Sequence, residues 1–284
     1  MGGCGGQLAG ARAMSGETVL RERGKLLEEL RQIVQSMKNL AFAELQRVSR
    51  MRQAHALAHE ALSDALGVIA EGESQAGEPA GGRQTWLVLG AERGFCGAFN
   101  AQLAASASAL RADDPQASLL IASRRLLMQL EGQCDELQAL PGCATSQEAD
   151  MVLDAWLDQV NLALQGGDRI GLLYAGDDGL VRQQLWPPAS PLACTARHAP
   201  QTYLPVSTLR EALNRQALRL AIQGALYASL EQENHWRLAQ MQRAQDHLDE
   251  LGRALRQRHA ALRQANITNE LETLASSAMV SGGP

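Results

Sequence analysis

The stretch MQRAQDHLDELGRALRQRHAAL, residues 241–262, places an apolar residue at every seventh position: Met241, Leu248, Leu255 and Leu262. Ala244, Leu251 and Ala265 form a companion row three residues further on. Apolar rows at this spacing make a seam along which one helix lies against another in a left-handed supercoil. No proline occurs from Ser207 to Val280, so the spacing predicts one helix over 205–280. At about 1.5 Å per residue that helix reaches roughly 100 Å, too long to stand without an equally long partner.

The partner is found at the other end of the chain. From Glu17 to Glu71 proline is again absent, and Leu20, Leu27, Val34, Ala41 and Val48 repeat at seven, with Leu30, Met37, Met51 and Ala58 in a companion row. A helix over 17–71 follows, and it ends in EGESQAGEPAGG, whose composition makes 72–82 a linker. Because a globular segment separates the two helices, the chain returns on itself and the pairing is expected to be antiparallel. The second helix exceeds the first by roughly 15 to 20 residues, so its end, ITNELETLASSAMV, projects alone or is held by another protein. Residues 1–16 read as a flexible tail, or as sequence upstream of a start at Met14. The opening MGGCGG has Gly6 where a myristoylation pattern needs Ser or Thr.

Between the helices, residues 83–195 change character. TWLVLG (85–90), SLLIAS (118–123) and RIGLLYAG (169–176) read as strands, with helices over 98–111, 124–132 and 147–165. Strands alternating with helices give parallel βαβ units, an α/β domain of Rossmann-like type closed by WPPASP. The expected fold class is thus α/β plus long helices, with the α/β domain inserted into an antiparallel coiled coil.

The turn after the first strand, GAERGFCGAFN (90–100), invites a phosphate-binding reading. A dinucleotide fingerprint needs GxGxxG and an acid after the second strand, whereas this chain has Gly94-Phe95-Cys96-Gly97 and then Ser123-Arg124-Arg125. The turn therefore reads as structural, with no nucleotide or other cofactor expected on this chain, and Cys96 as a small buried thiol rather than a nucleophile. Of the six histidines only His55 and His59 stand four apart, without the glutamate of HExxH, which favours a solvated or interhelical pair over a metal site. Five cysteines without a CxxC pair point to a reducing cytoplasm, and a net charge of −5 argues against a protein built to coat nucleic acid.

Three motifs carry a resemblance to a family. AERGFCGAFN is similar to the DRGLCGGxN turn of the gamma subunit of rotary F-type ATP synthases, matching at Arg93, Gly94, Cys96, Gly97 and Asn100. RQANITNEL (263–271) and YASLEQENHWRLAQMQRAQDH (227–247) resemble the RQAxITxEL and YxSLxxEHxxRMxAMxxATDN stretches of that family. Leu20, Arg21, Arg23, Ile33, Met37, Lys38, Ala41 and Leu45 match its first helix, while Glu44 replaces a lysine. The chain so resembles a divergent bacterial gamma subunit over residues 17–280.

The resemblance implies a non-catalytic rotor shaft on the cytoplasmic face of the inner membrane, peripheral to it. Three alpha and three beta subunits would surround one shaft, with the epsilon subunit and the membrane c-ring at its base. It also implies contact roles for the basic run Arg253, Arg256, Arg258 and Arg263 and for the apolar tip Ile267, Leu271, Leu274 and Met279. A solvated helix face and a frayed terminus are the plain readings of the same residues. A helical-hairpin adaptor outside any rotary machine is the other functional class.

Overall fold

A computed structural model describes residues 5–69, 82–134, 136–187 and 202–281, with side chains placed between 18 and 277. The chain divides into two compact units, one of residues 1–39 with 241–284, the other of residues 40–240.

Two helices dominate, α1 (Gly5–Ile69, 65 residues) and, last in the chain, α5 (Val206–Ser281, 76 residues). Residues 5–16, expected as a tail, are helical despite four glycines; the stretch has no proline to interrupt α1. The earlier start leaves α5 a smaller excess over α1 than the lengths read from sequence. Met1–Cys4, nearly all of the 72–82 linker and the closing part of the 83–195 segment lie outside the described residues.

In the first unit the two helices pair antiparallel. Lys38 Nζ meets Gln242 and Gln245, Gln245 donates to Gln35 at 3.3 Å, and Arg31 pairs with Asp249. Further along, a Cβ on Gly24 would lie 3.6 Å from Leu255 Cδ2. The row at Leu20, Leu27 and Val34 faces inward as expected, and of the companion row Met37, Met51 and Ala244 are partly buried. Leu30 and Leu251 are exposed, and the positions one residue later, Arg31 on α1 and Gly252 on α5, face inward instead. Residues three and four away straddle the same seam, and the apolar residue type favoured the wrong one.

The second unit is built on a five-stranded sheet in the order β3-β2-β1-β4-β5: β1 (Gln84–Leu89), β2 (Ser118–Ala122), β3 (Leu137–Ala139), β4 (Arg169–Gly176) and β5 (Gly179–Trp186). β1, β2, β3 and β4 run parallel, and β5 returns antiparallel to β4 through the two-residue turn Asp177-Asp178. Gly179, the first residue of β5, has φ +124°, a conformation that side chains resist. Neither β3 nor β5 stood out in sequence: β3 has three residues, and β5 (GLVRQQLW) is an edge strand exposed over most of its length.

Alternate strand residues feed two cores, as period-two geometry requires. On one face Val88, Leu119, Ile121 and Leu173 pack against Phe99, Leu103 and Ala107 of α2 (Phe99–Asp113) and Leu126 and Leu130 of α3 (Arg124–Leu130). On the other, Leu87, Leu89, Leu120 and Leu172 meet Val152, Leu153 and Trp156 of α4 (Ala149–Gln165), together with Val48 of α1 and Leu218, Ile222 and Leu226 of α5. The long helices are therefore part of the core of the α/β unit. Within it α1 and α5 interlock at His55, whose Nε2 lies 2.8 Å from Leu220 O, and Gly224 leaves the room that the imidazole fills.

Candidate functional site

The first site to test is the glycine turn between β1 and α2. Phe95 (φ +64°) and Gly97 (φ +59°) both take the left-handed conformation, which swings the chain sharply from strand to helix. Asn100 fixes the turn from inside: its Oδ1 accepts from Ala91 N at 2.8 Å and its Nδ2 donates to Ala91 O at 2.9 Å. Ser123 Oγ donates to the same carbonyl at 2.8 Å and accepts from Leu126 N, so one hydroxyl caps α3 and ties the two turns together.

The surface that would cradle a phosphate is filled by α5. A Cβ at Gly97 would come within 2.5 Å of Gln240 Nε2 and 3.5 Å of the Trp236 ring, and Trp236 stands edge-on to Phe99 with centroids 6.5 Å apart. Arg237 Nε donates to Gly94 O at 3.3 Å. The same guanidinium donates to Asn234 Oδ1 at 2.8 Å and to Glu233, within a cluster in which all three side chains are buried. Burial pushes the Glu233 carboxyl up to about 7 against the opposing pull of Arg237. Cys96 lies beside this cluster, and burial raises its thiol, the opposite of what a thiolate nucleophile needs. Of the motif residues, Cys96 and Asn100 are buried, Arg93 and Gly94 are half-buried, and Gly97 is exposed although it abuts Gln240; Phe95 stands out to solvent at 64% exposure. Sequence reasoning missed the turn's seat on α5, Glu233, Trp236, Arg237 and Gln240, because nothing in a linear pattern joins positions 97 and 240.

The His55 and His59 rings lie 6.4 Å apart between centroids and are tilted by 31°, with His55 committed to Leu220 O. No group of His, Cys, Asp or Glu among the described residues is arranged to hold a metal ion. No helix among the described residues is long and apolar enough to cross a membrane.

The second site is the far part of α5. At about 100° per residue, Arg253, Arg256 and Arg263 fall within roughly 80° of arc, and Ile267, Leu271 and Leu274 fall in the same sector. All six side chains are exposed, the three apolar ones at 48%, 61% and 65%. The sector flanks the inward-facing row of Leu248, Gly252 and Leu255, so α5 presents a basic strip that turns apolar toward its end. Arg258 is exposed on the opposite side, and the Met279 side chain lies outside the described residues. Near the strip, Gly24 and Gly252 line a groove of about 100 Å³ with Leu27, Leu255 and Arg256.

Comparison with known proteins gives this architecture a place. The family model described as ATP synthase matches residues 17–279. The ATP synthase gamma chain of Amoebophilus asiaticus (strain 5a2) is 27% identical over 214 residues, covering 68% of this chain and 71% of that one. Among solved structures, a chain of the rotor of the Euglena gracilis mitochondrial ATP synthase superposes with a TM-score of 0.58 at 14% identity, over 89% of this chain and 99% of that one. A chain from the OSCP/F1/c-ring assembly of the same enzyme gives 0.62 at 14% identity, over 94% and 95%. A chain of the central stalk and c-ring of the Tetrahymena thermophila enzyme gives 0.57 at 16%, over 75% and 99%. At such identities these likenesses speak for the fold, which is that of central-stalk chains with long helices and an α/β domain. The match across nearly the whole sequence decides the matter: the chain belongs to the ATP synthase gamma-subunit family.

Proposed function

We propose that this chain is the turning shaft of a rotary F-type ATP synthase, one copy standing within three alpha and three beta subunits above a membrane c-ring, with epsilon at its base. The observation that carries the reading is the family match over residues 17–279 on a chain whose ends form an antiparallel helix pair. A shaft with different side chains around its circumference presents a different face to each surrounding catalytic subunit. Turning it changes the relative free energies of their open and closed states, which is coupling by differential contact. The nucleotide chemistry then belongs to the surrounding subunits, and ion flow through the membrane ring supplies the rotation at the cytoplasmic face of the bacterial inner membrane. Arg253, Arg256 and Arg263 face acidic loops of those subunits, and Ile267, Leu271, Leu274 and Met279 turn within an apolar collar. Charge pairs of this kind set orientation more than affinity.

Affinity capture from native membranes, followed by counting subunits by native mass spectrometry, tests the reading. One copy is expected with three alpha and three beta chains. Recovery of the chain alone, or with unrelated partners, would favour the helical-hairpin adaptor.

A further inference from the structure

In the β4–β5 hairpin the first strand is buried, but the turn and most of the second strand are not. β5 is exposed over most of its length, and a groove of about 130 Å³ lined by Phe99, Leu180, Gln232 and Trp236 opens between the hairpin and α5. Apolar burial through Ile170, Leu172 and Leu185 fastens the body of the hairpin to the long helices, but it is scarce at the turn, where residues 177–180 are exposed. Polar side chains span the gap, and one guanidinium among them touches the turn and both helices. Arg52 of α1 donates from Nη1 to Asp177 Oδ1 and from Nη2 to Asp177 Oδ2, both at 3.0 Å, a two-pronged contact with the turn itself. Nη1 also meets Glu231 of α5, and Gln232 Nε2 donates to Asp177 Oδ1 at 3.2 Å. The electrostatics agree with a committed pair: hydrogen bonding to Arg52 holds the Asp177 carboxyl below the usual carboxylate range, and Asp177 raises Arg52 in turn.

The turn is two residues long and continues into β4, which pairs over Arg169–Leu173 with β1 at the centre of the sheet. A tangential force on the sheet therefore arrives at Asp177 through a stiff path. Burial of apolar surface is non-directional, whereas a forked guanidinium–carboxylate contact fixes both distance and orientation.

We propose that Arg52 is a torque pin, joining the hairpin turn of the α/β unit to both long helices at once so that load applied to the sheet enters α1 and α5 together. The proposal rests on the rotor reading given above, and it assigns a positioning role within it. Lysine replaces the pin only in part, because its ammonium keeps the charge but lacks the planar fork that grips both carboxylate oxygens in parallel.

The test uses the complete assembly carrying R52Q, R52K or D177N, the last reading the same contact from the turn side at an exposed position. Amide exchange over residues 174–181 reports the hairpin, and ions pumped per ATP hydrolysed report load transfer. R52Q and D177N are expected to speed hairpin exchange about fivefold, the equivalent of ~1 kcal/mol, with R52K in between. Pumping per ATP should fall while the hydrolysis rate holds. Unchanged exchange in R52Q and D177N would overturn the pin, and so would faster exchange with an unchanged pumping ratio. Absence of alpha and beta chains from the wild-type preparation would instead remove the rotor reading, and that is seen before any variant is compared.

Discussion

Gly97 sits at φ +59° with Gln240 pressed where a side chain would begin. G97A adds a left-handed penalty and forces the amide of Gln240 aside, so a loss of about 1–2 kcal/mol is expected in urea unfolding of the purified chain. Phe95 carries the same backbone conformation, so the turn already holds one strained side chain. Glu233 makes a second prediction. Its carboxyl is raised in the folded state from 4.5 to about 7 by burial, so its contribution to stability is whole below the unfolded value and is lost as pH rises through the folded one. Unfolding measured from about pH 5 to about pH 8 should show the wild type losing stability relative to E233Q, with the difference levelling above about pH 7. In the sequence a lone GxxG without an acid after the second strand lacks the dinucleotide fingerprint, which points to a backbone role for the turn. The sequence hid what holds the turn, because the Arg237–Gly94 contact joins residues far apart in the chain.

At the scale of elements, the antiparallel pairing in the first unit rests on polar cross-contacts as much as on apolar rows. Arg31 with Asp249 and Lys38 with Gln242 occupy positions where apolar residues were expected one place earlier. Cysteines at Gly24 and Leu255 should cross-link rapidly with a short bifunctional thiol reagent, since a Cβ at Gly24 would be 3.6 Å from Leu255 Cδ2. Moving the second cysteine to Leu248 shifts it ~10 Å along the helix and should abolish the rapid reaction. Equal rates for the two pairs would contradict the register. Long helices and buried strands were legible from periodicity, as α2, α4 and β4 show within a few residues. β5 was not, because an edge strand with both faces wet has no need to alternate apolar and polar side chains. The onset of α1 was missed for a related reason: a Gly- and Ala-rich stretch reads as tail when only local propensity is weighed.

For the whole molecule, the strip on α5 gives the prediction that bears on function. R253Q, R256Q and R263Q together remove three charges from one sector, whereas R258Q removes one from the opposite side. If the strip faces acidic partner loops, the triple variant should lower ion pumping per ATP and weaken its dependence on ionic strength, while R258Q alone changes neither. Full coupling in the triple variant would discard the loop contact. One face of the sheet, finally, is closed by Val48 from the first helix and by Leu218, Ile222 and Leu226 from the last. A ribosome that has delivered every strand, with Val48 and α4, has not yet delivered Leu218, Ile222 and Leu226, the last part of the cover over Leu87 and Leu172. The sheet must wait, half-open and sticky, for the closing helix to emerge, which makes the growing polypeptide a natural client of chaperones and ties its maturation to the completion of synthesis.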